Sequence, residues 1–259
     1  MRVVVPVKLV PDLVEDLVID ESGVTLDAME ISLCLNEFDD HAIEQAILLK
    51  EGDGSRVTVV APGVEKADSV LFNAAAKGAD CLVRVAGDFD ESMSNHAYAR
   101  MLTPIMRDLE PDLILTGVQA HNDLDGQLGP LLAEYLSFPY VGYVASVKNG
   151  SGKATVRKEY PGGLSAKFEV NLPAVFGIQA AEQPPRYVAF SRVRQAMNTT
   201  AIEERTAIDP SRSWAPEVSR LYQPEGGKRA EMIEGEADEV AARIVAILSE
   251  RGYLQRGHK

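Results

Sequence analysis

Residues 112–136 constrain this chain more than any other stretch. Leu113, Ile114 and Leu115 form an apolar run ending at Gly117, which reads as a strand buried on both faces. Leu128, Leu131, Leu132, Tyr135 and Leu136 then recur at helical spacing, so a helix is expected to begin near Gln127. Between the two lies a polar loop that carries Gly117, Gly126 and Gly129. Strand, glycine-bearing loop and helix together turn free backbone N–H groups and a positive dipole end towards an anion. The glycine spacing is neither the Walker pattern nor G-x-G-x-x-G. The same segment is equally compatible with an ordinary strand-to-helix connection.

The first half of the chain repeats this alternation. Val3–Val7, Val57–Val60, Leu82–Val85 and Leu113–Thr116 read as strands. Helical patterns lie between them: Ala42, Ile43, Ala46, Ile47 and Leu49; Ala67, Val70, Leu71, Ala74 and Ala75; and Tyr98, Met101, Leu102, Ile105 and Leu109. Asp39 or Asp40 is expected to cap the first of these. Such alternation implies an α/β fold with a doubly wound, mostly parallel, Rossmann-like sheet of the kind that holds adenine nucleotides. After Pro139 the texture changes. Val141–Val147, Ala154–Tyr160, Leu164–Val170 and Ala174–Ile178 read as consecutive strands, with Pro161-Gly162-Gly163 turning a β-hairpin added at one side of the sheet. From Gln183 the chain reads as irregular, with Pro184, Pro185, Pro210, Pro216, Pro224 and Gly226-Gly227, until a last amphipathic pattern of Val240, Ile244, Ile247 and Leu248. A stretch with so little periodicity suits an arm lying on a partner better than a compact core. The expected division is a nucleotide-binding domain over 1–199 and an extended C-terminal arm with a helix over 200–259.

At 259 residues, 46% of them hydrophobic, the chain can bury a full core. A net charge of −13 argues against nucleic acid, since no basic excess is available to meet phosphates. Arg192 and Arg194 make the one local basic cluster of note. Cys34 and Cys81 are isolated, which argues against a disulfide framework or zinc site. The apolar run at the N-terminus ends at Lys8, too short for a secretory core, and no run approaches a membrane span. A soluble, cytoplasmic protein without membrane insertion is expected.

Four segments fall at the carboxyl ends of strands, where a doubly wound sheet builds its ligand crevice. They are Val7-Lys8-Leu9 and its continuation to Asp12, Leu35-Asn36-Glu37-Phe38-Asp39, Val60-Ala61-Pro62-Gly63, and the loop from Gly117 to Pro130. Main-chain groups of the first and third can bracket an adenine. Asn36 offers a donor and an acceptor, or is simply the turn residue before a helix. Lys8 suits an ion pair or solvent better than catalysis. The phosphate is expected on N–H groups from Asp125 through Gly126 and Gln127 to Leu128, beside Gly129. No catalytic set emerges: of His41, His96, His121 and His258, only His121 lies near the candidate ligand, with no nucleophile beside it. Asp123 and Asp125 suit loop-turn roles better than metal binding, and no metal is expected.

Together these segments resemble the β (small) subunit of electron-transfer flavoproteins, closely over residues 1 to about 200 and loosely beyond. The resemblance rests on Lys8-Leu9-Val10-Pro11-Asp12, Leu35 to Asp39 with the Ala42–Ala46 helix, Ala76-Lys77-Gly78-Ala79-Asp80, Pro111 to Gly117, Gln119-Ala120 and Gln127-Leu128-Gly129-Pro130. Its most specific part is Val156-Arg157-Lys158-Glu159, Gly162-Gly163-Leu164 and Leu172-Pro173-Ala174-Val175, followed by Pro185-Arg186-Tyr187.

The resemblance implies an α-subunit partner that the C-terminal arm wraps and that holds most of the redox FAD. It implies AMP in this chain or, in electron-bifurcating members, a second FAD that accepts hydride from NADH. Dehydrogenases are the implied donors, and a quinone oxidoreductase or ferredoxin the implied acceptor. The chain is then an electron carrier subunit rather than a stand-alone enzyme. It departs from the family in its Asn122-Asp123-Leu124-Asp125-Gly126 loop, and at Phe190-Ser191, where many members have Leu-Pro in the segment that meets dehydrogenases. Tyr187, Phe190 and Arg192 are the implied partner contacts. A nucleotide-binding sensor resembling universal stress proteins shares the alternating texture but explains neither hairpin nor arm.

Overall fold

A computed structural model describes residues 1–87, 89, 93–124, 126–207, 218–224, 230 and 232–254. Asp125, Trp214, Pro210, Pro216, Gly226-Gly227 and His258 lie outside the described residues. In chain order the elements are β1 (Arg2–Pro6), β2 (Leu9–Pro11), β3 (Leu33–Leu35), α1 (Glu37–Asp53), β4 (Arg56–Pro62) and α2 (Ala67–Lys77). Then come β5 (Cys81–Ala86), α3 (Asn95–Leu109), β6 (Leu113–Gly117), α4 (Leu128–Leu136), β7 (Tyr140–Asn149), β8 (Lys153–Tyr160) and β9 (Leu164–Asn171). The chain continues with β10 (Ala174–Ile178), α5 (Phe190–Thr199), β11 (Ile202–Thr206) and α6 (Ala237–Glu250).

The main sheet runs β11-β5-β4-β1-β6-β10-β7-β8-β9, parallel from β11 to β7 and antiparallel through the β7-β8-β9 hairpin side. Alternation along β1 shows why helices cover both faces. Val3 and Val5 pack with Ile43, Ile47 and Leu71 of α1 and α2, whereas Val4 packs with Leu102, Met106 and Leu132 of α3 and α4. The expected α/β, doubly wound architecture is therefore what the chain forms. Strand order reverses at β1, whose neighbours are β4 on one side and β6 on the other. A doubly wound sheet opens its crevice at that point.

Four elements depart from the sequence reading, the first two being the short antiparallel pair β2-β3, which that reading does not include as strands. The stretch read as irregular from Gln183 contains α5, and the first residues assigned to the arm form β11, which pairs in parallel with β5. Helix α5 packs against α2 through a small residue, Ala196, so its apolar periodicity is weak in sequence. Strand β11 reads Ile-Glu-Glu-Arg-Thr, a polar edge strand buried on neither face. Asp39 and Asp40 are not the cap of α1, because Asn36 occupies that position and both aspartates lie inside the first turns.

The chain divides into a unit spanning Met1–Leu221 and another spanning Tyr222–Lys259. In the second, α6 begins with a reciprocal capping box between Glu236 and Glu239 and buries none of its residues. No helix among the described residues is long and apolar enough to cross a membrane.

Candidate functional site

Four helices open near the crevice, and their first turns differ in charge. Helix α1 carries Glu37, Asp39 and Asp40 there, and α2 carries Asp68. Those carboxylates already meet the helix dipole and repel an incoming anion. Helix α3 is capped by the Ser94 hydroxyl, which accepts from the Ala97 N–H at 3.1 Å. Helix α4 has no acidic residue in its first turn and no side-chain cap at Gln127. Its N-terminus is thus the best anion acceptor of the four. Pro130, in that turn, has no N–H of its own to satisfy.

The loop leading to α4 is fixed from three sides. Lys8 Nζ lies 2.7 Å from Asp123 Oδ1 in a largely buried ion pair, and also donates to Asn95 Oδ1 at 3.0 Å and Asn122 Oδ1 at 3.3 Å. Asn95 Nδ2 donates to Asp123 Oδ1 at 2.7 Å and to the Gly126 carbonyl at 2.5 Å. The Ala120 N–H donates to Asp123 Oδ2 at 2.8 Å. Lys8 is therefore an ion-pair residue, and Asp123 a loop organiser. Among the described residues no group of three or more His, Cys, Asp or Glu side chains is placed to hold a metal. Gly126 has φ of 117°, a left-handed conformation open to glycine. Gln127 Nε2 donates to the Tyr143 hydroxyl at 3.2 Å.

Facing this loop, the crevice has apolar walls from Leu9, Pro62, Val64 and Phe89, with Lys8 and Asn122 at its polar end. Phe89 meets Tyr98 edge-on, ring centroids 5.9 Å apart. Apolar walls of this kind suit an aromatic ring. Val64, Phe89 and Tyr98 were not legible as site residues, because each stands alone among polar or helical neighbours in sequence.

The main-chain groups expected to bracket an adenine are engaged within the protein. The Val7 N–H donates to the Val60 carbonyl and the Val7 carbonyl accepts from the Tyr98 hydroxyl. The Lys8 N–H donates to Asp39 and the Lys8 carbonyl accepts from the Asn36 N–H. Leu9 pairs with Leu35, and Ala61 pairs with β5. Asn36 is buried and its Nδ2 donates to the Gln119 carbonyl at 2.9 Å. Burial raises the Tyr98 phenol well above its ordinary range, with the nearby Asp39 carboxylate adding to it.

Leu128 and Gly129 are buried. A Cβ at Gly129 would stand 2.7 Å from Thr116 Oγ1 and 2.9 Å from Tyr140 Cε2. The close approach that Gly129 permits is thus of α4 to the sheet, not of a ligand to the backbone. Thr116 Oγ1 and the Tyr140 hydroxyl both lie buried there with no hydrogen-bond partner among the described residues. Burial, with Tyr143 adding, pushes the Tyr140 phenol up to about 12.

On the other side of α1, residues 181–186 are strapped to it. Ala181 N–H donates to His41 Nδ1 and Glu182 N–H to Gln45 Oε1, both at 3.2 Å. Arg186 holds buried Glu44 through Nε and Nη2 at 2.9 and 2.7 Å and reaches Glu51 through Nη1 at 2.5 Å. Those two carboxylates raise the Arg186 guanidinium further. Beyond the strap, Tyr187 is 92% and Phe190 68% exposed, with Arg192 also exposed and the Arg194 guanidinium 5.1 Å from the Phe190 ring centroid.

Residues 24–210 match the family model described as the electron transfer flavoprotein domain. The chain belongs to that family. It is 36% identical to the electron transfer flavoprotein subunit beta of Methylophilus methylotrophus, over 96% of this chain and 98% of that protein. It is 29% identical to the subunit of the same name from Bacillus subtilis strain 168, over 96% and 97% of the two chains. Its identity to the mitochondrial subunit beta of Oryza sativa subsp. japonica is 28%, over 94% and 97%. Family membership sets the universal-stress-protein reading aside.

Proposed function

We propose that this chain is the β subunit of a heterodimeric electron-transfer flavoprotein and binds AMP in the crevice between β1 and β6. The observation that carries the AMP reading is the α4 N-terminus. Its first turn is free of acidic residues and its loop is anchored by Lys8 and Asp123, and Lys8 and Asn122 of the same network also line the apolar crevice. No catalytic set is legible in the sequence. The chain's role is to hold an adenine nucleotide and present surfaces to partners, while FAD carried mainly by the α subunit takes electrons from dehydrogenases. A quinone oxidoreductase or ferredoxin is the class of acceptor. The segment from Tyr222 onward, with the unburied helix α6, supplies an arm for the α subunit. The exposed Tyr187, Phe190 and Arg192 supply the surface for a donor dehydrogenase.

Co-expression with the α subunit tests this reading. The purified complex is expected to show the visible absorbance of one flavin per heterodimer. Two flavins would instead place a second FAD in this crevice and favour electron bifurcation from NADH.

A further inference from the structure

We propose that Asp39 is the positioning residue of this crevice: its carboxylate ties the diverging ends of β1 and β6 and so fixes the distance between the crevice's two sides. The inference rests on the reading that the crevice holds an adenine nucleotide. Strands β1 and β6 pair only at Val3–Leu113 and Val4–Ile114. Beyond those residues they separate towards different neighbours. The Val7 N–H bonds to Val60 on β4, and the Val118 N–H to Ile178 on β10.

The splay would leave the Lys8 and Gly117 amides without sheet partners, and Asp39 meets both. Its Oδ2 accepts from Lys8 N at 2.8 Å and its Oδ1 from Gly117 N at 2.7 Å. Asn36, one turn earlier, brackets the same two chain segments through the Lys8 and Gln119 carbonyls. Gly117 is glycine because a Cβ there would lie 2.5 Å from Asp39 Oδ1. One side of the tie leads directly to Lys8, whose ammonium anchors the phosphate loop, and the other leads into that loop.

The groups facing the carboxylate are the Lys8 ammonium and amide from the end of β1, the Gly117 amide from β6, Asn36 from its own helix, and the Tyr98 phenol from α3. Burial pushes Asp39 up to about 6 despite the donors on Lys8, Gly117 and Asn36. Protonation turns one oxygen into a donor, which cannot serve a facing N–H. The tie then opens at one end.

The test uses the full chain in complex with its α subunit, freed of nucleotide, with AMP and adenosine as probes. Adenosine has no phosphate to titrate on its own account. The wild type is expected to bind both at least about tenfold more weakly near pH 5 than near pH 8, the scale of one lost charge-assisted hydrogen bond. Asp39→Asn, which aims an amide N–H at one of two backbone donors, should bind weakly at both pH values with a flat profile. Hydrogen exchange at the Lys8 and Gly117 amides should lose protection in the variant, and in the wild type below about pH 6. If Asp39→Asn does not fold, those two wild-type amides decide the matter, and unchanged protection at low pH overturns the proposal. Wild-type affinity in Asp39→Asn at pH 8 overturns this proposal alone. Failure of the wild type to bind either probe at pH 8 overturns the nucleotide reading and this proposal together.

Discussion

At the scale of single residues, Gly129 and Asp39 both do something other than their sequence context suggests. Gly129 follows the loop proposed to hold the phosphate and invites the reading that a larger side chain would crowd a ligand. The contacts say otherwise, since Thr116 and Tyr140 occupy the space that a Cβ would enter. Gly129→Val is therefore expected to cost about 1–3 kcal/mol of stability through overpacking between α4 and the sheet. Thermal unfolding checks this; an unchanged melting temperature with lost nucleotide would return Gly129 to the ligand. Asp39 sits in an acidic run that reads as helix capping, and only the folded chain shows its two oxygens reaching two strand ends. Its pKa lies above the ordinary value of 3.8, so the native state holds this proton more tightly than the unfolded chain. The stability it contributes is complete below pH 3.8 and is lost as pH rises through about 6. The fold thus gives up stability, on the order of 3 kcal/mol for this buried group, to keep the carboxylate ionised at neutral pH. In Asp39→Asn, the stability difference between about pH 5 and pH 8 should shrink, which denaturant titration at the two pH values measures.

Among the elements, those with strong apolar periods were legible and those built on small or charged residues were not. The core strands and helices α1 to α4 bury whole faces, and the Pro161-Gly162-Gly163 turn sits where the hairpin reverses. Helix α5 escapes that logic because Ala196 is its sole buried residue. Strand β11 escapes it because an edge strand of glutamates and an arginine has no buried face to betray it. The consequence for function is concrete. Phe190 is the first residue of a helix held against α2, on a strap pinned by Arg186, rather than a residue of a loose loop. Its ring is exposed and flanked by Arg194, with no acidic side chain on the helix, so the surface suits an apolar pocket with an acidic rim. Phe190→Ala should weaken association with the cognate dehydrogenase by 2 kcal/mol or more, about thirtyfold. Flavin content and melting temperature should stay near wild type, because the residue is 68% exposed. A drop of several degrees with unimpaired electron transfer would make Phe190 a packing residue instead.

For the whole molecule, the charge of −13 makes the crevice's few positive features stand out. With Lys8 held by Asp123, the acid-free end of α4 is what an anion would find there, and both lie where the strand order reverses. The location of this crevice was legible because the strand, loop and helix of residues 113–136 carry their own periodicity. Its apolar wall was not, because Val64 and Phe89 come from separate connections that only the fold brings together. The account stands or falls on what occupies this space. The most direct measurement is to denature the purified heterodimer and to identify and count the released adenine nucleotides by chromatography. One AMP and one FAD per heterodimer is the predicted result; FAD alone, at one or two per heterodimer, would contradict it.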